Sequence, residues 1–282
     1  MELIVTVLKF GAAIVVGVPL VMYLVQDGLL FLPQPLEPGR REMLARRAPL
    51  VEEIRIAAAD GTQLHGWLAR PEGAGSAERA RRFPVVIYFG GNAEEVSWLL
   101  DDLLDPARPR EWGWLLVNYR GYGFSAGRPS EAALVSDALR IYDFAAARAD
   151  VDTARIAVFG RSLGSGVAVQ LAVARPLAGA ILVSPYDSMV RVAQHHYPIL
   201  PVSLLLRHRF DSIAHAPGLE LPLLCLAAEH DHVIPSAHAS RLVQAWKGPK
   251  RFSVLPGTGH NNISGHPDYW REVGAFLAER GR

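Results

Sequence analysis

At 282 residues, half of them hydrophobic and a fifth charged, the chain is long enough for one large α/β domain with a well-buried core. A net charge of +1 excludes both a basic field for nucleic acid and an acidic tail. The single cysteine, Cys225, excludes an internal disulfide, and its apolar, strand-like surroundings suit a small buried hydrophobe better than a reactive thiol.

The chain opens on an apolar run from Leu3 to Val25 in which Lys9 is the one charge. That length spans a bilayer with some tilt, Lys9 can snorkel, and Pro19, Gly11 and Gly17 are tolerable in a membrane helix. A single-pass N-terminal anchor over residues 1–27 is the expectation, with a cleaved signal peptide and a buried core helix as alternatives. Arg40, Arg41, Arg46 and Arg47 follow the span, so the positive-inside rule puts what comes after them on the cytoplasmic side. Residues 28–50, rich in Pro and Arg, read as a linker.

Val51 to Ile56 and Gln63 to Ala69 are strand-like and joined by the turn signal Asp60-Gly61. Phe83 to Phe89 is a continuous apolar run, as in a strand buried on both faces. A helical segment from Ala93 to Leu104 and a strand from Trp114 to Asn118 follow. Ser130 reads as an N-cap to a helix over Glu131 to Ala147. Further strands are expected at Arg155 to Phe159, Ala178 to Val183, Leu221 to Ala227 and Arg251 to Leu255, with a last helix from Tyr269 to Glu279. Strands alternating with helices predict a mostly parallel sheet covered on both faces. The stretch from Gly73 to Arg82 reads as a solvated low-complexity loop.

The most informative window joins the strand ending at Phe159 to a helix over Val167 to Ala174 through Gly160-x-Ser162-x-Gly164. Small residues on either side of the serine allow a sharp turn that lifts its hydroxyl clear of the sheet, at a helix N-terminus that favours negative charge. Ser162 is therefore a candidate nucleophile of an esterase-type hydrolase. A serine hydroxyl needs a base, and a base of this kind needs a carboxylate to hold its tautomer. His260 follows the last strand within Pro256-Gly257-Thr258-Gly259-His260, whereas His266 begins the final helix and reads as a surface residue. Asp231 follows the strand Leu221 to Ala227, and the order Ser162, Asp231, His260 suits an open α/β sheet of this kind. Asp187, after the strand ending at Val183, is the rival acid. His230, Asp231, His232 and His238 cluster in sequence but lack a metal-ligand spacing, so neither a metal nor an organic cofactor is expected. Two backbone N–H groups must hold the oxyanion: one from Leu163 and one from the loop Gly90-Gly91-Asn92-Ala93, with Asn92 as the candidate donor.

Five segments carry a resemblance to a known group. They are Tyr88-Phe89-Gly90-Gly91-Asn92-Ala93, Asn118-Tyr119-Arg120-Gly121-Tyr122-Gly123-Phe124-Ser125, Gly160-Arg161-Ser162-Leu163-Gly164, His230-Asp231-His232-Val233-Ile234-Pro235 and Gly259-His260-Asn261. From about Val51 to its end the chain resembles serine hydrolases of the α/β-hydrolase fold, of the membrane-anchored bud-emergence and protein-depalmitoylase type, with a serine-aminopeptidase-like domain. The family often has His-Gly where Gly90-Gly91 stands; a backbone oxyanion donor is indifferent to that change.

The resemblance implies an α/β-hydrolase domain over 51–282, with a cap segment over 185–220. It also implies cleavage of a carboxylic ester or thioester through an acyl-enzyme, in which His260 serves Ser162 first as base and then as acid. Activity is expected to fall where a histidine base becomes protonated, roughly below pH 6 to 7. In the cap, Tyr197 to Leu206 is apolar and is followed by Arg207, His208 and Arg209, which suits a lipid-like acyl substrate or an ordinary packed helix. Two other classes stay open: an aminopeptidase-like serine peptidase, and a non-catalytic membrane scaffold built on the hydrolase fold.

Overall fold

The computed structural model describes residues 2–72, 82–105 and 111–281, and of residues 3–5 and 7–14 the helical backbone alone. The low-complexity loop expected over Gly73 to Arg82 thus lies almost wholly outside the described residues. The chain begins with helix α1 (Glu2–Leu30) and a short helix α2 (Arg40–Ala45). Strands β1 (Val51–Ala57) and β2 (Gln63–Ala69) form an antiparallel hairpin with Ile54 opposite Gly66. Its turn is built as Asp60-Gly61 suggests: Gly61 has φ 83°, and the Asp60 carboxylate accepts from the Thr62 N–H at 3.0 Å.

Six parallel strands follow: β3 (Phe83–Phe89), β4 (Gly113–Val117), β5 (Val151–Arg161), β6 (Gly179–Val183), β7 (Leu223–Ala228) and β8 (Lys250–Leu255). The sheet order is β1-β2-β4-β3-β5-β6-β7-β8, with β2 antiparallel to β4. Connecting them are α3 (Leu99–Leu103), α4 (Glu131–Ala147), α5 (Leu163–Ala174), α6 (Met189–His196), α7 (Val202–Leu205), α8 (Ser212–His215), α9 (Ser236–Ala245) and the terminal α10 (Pro267–Arg280). Ser130 caps α4 by accepting from the Ala133 N–H at 3.2 Å.

The apolar run of β3 shows why the middle strands carry no polar alternation. Val85, Ile87 and Phe89 face one core, with Leu134 of α4 and Val167 of α5, while Val86 and Tyr88 face a second, with Leu100 of α3 and Phe276 of α10. Alternate side chains therefore enter opposite apolar layers, and every residue of the strand is buried. Because the six strands are parallel, their carboxyl ends share one edge, where loops carry polar side chains away from both cores.

The N-terminus departs from expectation. Among the described residues no helix is long and apolar enough to cross a membrane, and the anchor expected over 1–27 is not supported. The helix is present, but its last turns carry polar groups that bind the domain. Gln26 donates to the Leu205 carbonyl at 3.1 Å and accepts from the Arg207 N–H at 2.8 Å; Asp27 meets Arg207 at 2.8 Å and His208 at 2.9 Å. Arg207 also lies over the Tyr23 ring at 5.1 Å. Residues 28–50 pack onto the domain instead of linking to it: Phe31, Leu36 and Leu44 are buried, and Arg40 reaches Ser97 and Asp101.

Candidate active site

The strand β5 ends at Arg161, and α5 begins at Leu163. Ser162 between them has φ 50° and ψ −116°, a conformation unfavourable for a residue with a Cβ. The surroundings hold it there. A Cβ on Gly164 would lie 2.1 Å from the Phe89 carbonyl oxygen, and one on Gly160 would lie 2.5 Å from that of Gly164. The two glycines of the motif are therefore demanded by close backbone approach between β5, α5 and β3. Gly166 is excluded from bearing a side chain by Tyr186, whose hydroxyl donates to the Leu163 carbonyl at 3.1 Å.

At this edge the loops after β7 and β8 bring two more predicted residues to the serine. His260 Nδ1 is 2.8 Å from Asp231 Oδ2, and His260 Nε2 is 2.9 Å from Ser162 Oγ. An ionised Asp231 only accepts, so Nδ1 carries the proton and Nε2 is left to accept from the serine hydroxyl. Burial disfavours the Asp231 charge, but hydrogen bonds from His260 and the Ile234 N–H outweigh it and hold the carboxyl below the usual aspartate value. Its Oδ1 accepts from the N–H groups of Val233 at 3.0 Å and Ile234 at 2.7 Å, which fixes the loop as well as the charge.

Asp187, the rival acid, is bound elsewhere. Its fully buried carboxylate meets His238 at 2.6 Å, Arg241 at 2.5 Å and Arg191 at 2.9 Å, and ties the base of the cap to α9. His266 caps α10 by accepting from the Asp268 N–H. The sequence cluster around Asp231 does not converge: His230 is exposed beside Glu229, and His238 belongs to Asp187. Among the described residues no three His, Cys, Asp or Glu side chains are grouped to hold a metal ion.

Leu163 stands at the first position of α5, where a backbone N–H has no acceptor within the helix. The loop after β3 runs beside it, a Cβ on Gly91 coming 3.6 Å from Ser162 Cβ. Asn92, the other candidate donor, has its side chain committed: Oδ1 accepts from the Leu32 N–H, the Tyr122 hydroxyl and the Ala93 N–H. These bonds pin the Asn92 side chain by its acceptor oxygen.

Sequence reasoning missed the network under this loop. Buried Glu94 accepts from the Tyr88 hydroxyl at 2.5 Å, the Gly91 N–H at 2.7 Å and Arg161 Nη1 at 2.9 Å. Arg161 also reaches the His260 carbonyl at 3.4 Å, so one guanidinium joins the serine turn, the Gly91 loop and the histidine loop. The only signal for it is a charged residue inside an otherwise small and apolar turn. The segment Asn118 to Ser125 is structural: Asn118 binds Glu95, and Arg120 clamps Asp137 bidentately.

A family model described as serine hydrolase matches residues 143–279. The uncharacterized protein Rv2307c of Mycobacterium tuberculosis is 36% identical over 256 residues, covering 91% of this chain and 88% of its own. The chain belongs to the serine hydrolases of the α/β-hydrolase fold. This serine hydrolase is also 27% identical to the alpha/beta hydrolase domain-containing protein WAV2 of Arabidopsis thaliana, over 95% of this chain and 92% of that one. An acetyl xylan esterase from Paenibacillus sp. R4 superposes with a TM-score of 0.62 at 21% identity, covering 91% and 99% of the two chains, which shows a shared fold.

Proposed function

We propose that this serine hydrolase cleaves carboxylic esters or thioesters of apolar acyl groups, with Ser162, His260 and Asp231 as its catalytic triad. The observation that carries the reading is the unbroken line from Asp231 through His260 to Ser162 Oγ, with separations of 2.8 and 2.9 Å. His260 Nε2 takes the serine proton as Oγ attacks the acyl carbonyl. The oxyanion forms beside the N–H groups of Leu163 and Asn92. The imidazolium, stabilised by Asp231, then protonates the leaving alcohol or thiol, and the same nitrogen activates water to release the acid. No step in this scheme calls for a metal or cofactor.

A peptidase acting at free amino termini needs an unpaired carboxylate beside the nucleophile. Asp231 is bound to His260 and two N–H groups, and Glu94 to Tyr88, Gly91 and Arg161, so neither is available for an α-amine. The test pairs a fluorophosphonate probe with p-nitrophenyl esters and a peptide p-nitroanilide. Labelling and ester hydrolysis lost together in Ser162→Ala are expected. Faster cleavage of the anilide would make the protein a peptidase, and an unlabelled, well-folded wild type would leave it a scaffold.

A further inference from the structure

The loop after β3 passes beside the nucleophile, a Cβ on Gly91 coming 3.6 Å from Ser162 Cβ. Of its N–H groups, that of Gly91 is taken by Glu94 and that of Ala93 by Asn92 Oδ1. Among the described residues the N–H of Asn92 has no such acceptor and is left to a ligand. Ala93 has φ 56°, a left-handed conformation that a residue with a Cβ keeps only where its surroundings enforce it. The Asn92 side chain enforces it: Oδ1 accepts from the Ala93 N–H at 2.9 Å and closes the turn. The aim of the Asn92 N–H therefore depends on where that carboxamide is held.

Two groups hold it. The Tyr122 hydroxyl donates to Oδ1 at 2.9 Å, and the Leu32 N–H is shared between Oδ1 at 2.8 Å and the Tyr122 hydroxyl at 2.9 Å. Three groups from distant parts of the chain thus close a triangle. The tyrosine is itself fixed. Its ring is fully buried and edge-on to Tyr119 at 5.7 Å, and it stands between Gly121 at φ 79° and Gly123 at φ 53°. The Gly123 N–H donates to the Gln34 carbonyl at 2.7 Å, which ties the segment after α1 to the same turn. Tyr119 adds a second grip on the loop, its hydroxyl donating to the Gly90 carbonyl at 2.9 Å. Burial pushes the Tyr122 hydroxyl up to about 12, so it stays a donor through the pH range of ester hydrolysis.

We propose that Tyr122 is a positioning residue of the oxyanion hole: through Asn92 Oδ1 it sets the aim of the Asn92 N–H at the charge developing beside Ser162. The proposal rests on the ester-hydrolase reading and adds to it a residue outside the triad that acts through another side chain. A misaimed donor costs stabilisation in the transition state and leaves substrate binding alone, so the effect belongs in kcat.

The experiment compares wild type, Tyr122→Phe, Asn92→Ala and the double variant in p-nitrophenyl acetate turnover. Tyr142→Phe, which loses a buried hydroxyl bonded to the Pro176 carbonyl at 3.0 Å, is the control for loss of a tyrosine hydrogen bond alone. Tyr122→Phe is expected to lower kcat roughly ten- to thirtyfold and Asn92→Ala about a hundredfold, with KM within about twofold of wild type in both. The double variant is expected to match Asn92→Ala within about threefold, because the tyrosine acts only through that side chain. Tyr142→Phe is expected to keep kcat. A trifluoromethyl ketone reads the hole directly: Ser162 Oγ bonds its carbonyl carbon, the serine proton passes to His260, and the carbonyl oxygen becomes the oxyanion. Its Ki is expected to rise by the factor through which kcat/KM falls. Backbone hydrogen exchange over residues 90–95 reads the loop without chemistry and is expected to quicken in Tyr122→Phe and not in Tyr142→Phe. Quickened exchange in a protein whose wild type cleaves no ester supports the hold of Tyr122 on the loop and removes the hydrolase reading alone. Wild-type kcat in Tyr122→Phe, a loss confined to KM, losses that multiply in the double variant, or unchanged loop exchange overturns the proposal.

Discussion

Replacing Asp231 by Asn separates orientation of the histidine from the rest of the site. The amide oxygen of Asn can still accept from the Val233 and Ile234 N–H groups, now 3.0 and 2.7 Å from Oδ1, so the loop keeps its anchor. The other half of the side chain then presents NH2 to His260 Nδ1 in place of a carboxylate oxygen at 2.8 Å. Two donors cannot face each other, so the imidazole takes the opposite tautomer and turns an N–H toward Ser162 Oγ, where a base is required. The charge that stabilises the imidazolium is lost as well. The expected cost is roughly 10³- to 10⁴-fold in kcat, about 4 to 5.5 kcal/mol of transition-state stabilisation, while thermal unfolding moves little because the buried loop bonds survive. The assay is p-nitrophenyl ester turnover beside a thermal melt, with Asp187→Asn as comparison. Asp187 serves His238 and two arginines, so its variant is expected to lose stability and keep kcat within about tenfold of wild type. Asp231→Asn turnover within tenfold of wild type, or an equal loss in Asp187→Asn, would refute the assignment of the acid.

Three further outcomes are expected from the same geometry. Gly164→Ala places a Cβ 2.1 Å from the Phe89 carbonyl, which the backbone of β3 cannot evade; a loss of about 3 kcal/mol or more in urea unfolding is expected, and a stability within 1 kcal/mol of wild type would show that the turn can relax. Glu94→Gln breaks the buried link between Arg161, Gly91 and Tyr88; kcat is expected to fall about ten- to a hundredfold with KM little changed, and a pure KM effect would place the network in binding instead. Acid stability carries a definite sign. Burial raises the Asp187 carboxyl, but hydrogen bonds from His238, Arg241 and Arg191 more than reverse it, so the folded value lies well below the unfolded one. The stability it contributes is complete above the unfolded value of about 3.9 and is lost as pH falls toward the folded one. Urea midpoints should therefore drop steeply below about pH 4 and less steeply in Asp187→Asn; identical slopes would contradict the pairing.

Much of this architecture can be read locally. Phe83 to Phe89 announces a doubly buried strand because seven apolar residues in a row cannot leave a face for water. Gly160-x-Ser162-x-Gly164 announces the turn because no side chain fits at its two glycines. Other elements gave weaker signals. Helix α9 was unannounced: its polar residues obscure a single buried face of His238, Ala239, Leu242 and Val243. Helix α5 begins four residues before the expected Val167, since Gly164, Ser165 and Gly166 are poor helix formers held in helix by packing against β3 and Tyr186.

The N-terminal segment and the acid show where local reading stops. The apolar run does not announce what its end binds: Gln26 and Asp27, in the last turns of α1, find Leu205, Arg207 and His208 far along the chain. Likewise, the spacing of Asp187 and Asp231 along the chain does not tell which meets His260. That depends on β7 lying between β6 and β8, so that the loops after β7 and β8 emerge side by side while the base of the cap turns toward α9. Residue identity by itself determined the strand periods, the serine turn and the set of groups able to do acyl chemistry, because these rest on sterics and chemistry within a few bonds. That Asp187 is taken up by His238 and two arginines, which arginine braces the turn and what the end of α1 binds were decided only by the tertiary structure. Hydrogen bonds and apolar contacts act over a few ångströms, and only the folded sheet brings residues a hundred positions apart to within that distance.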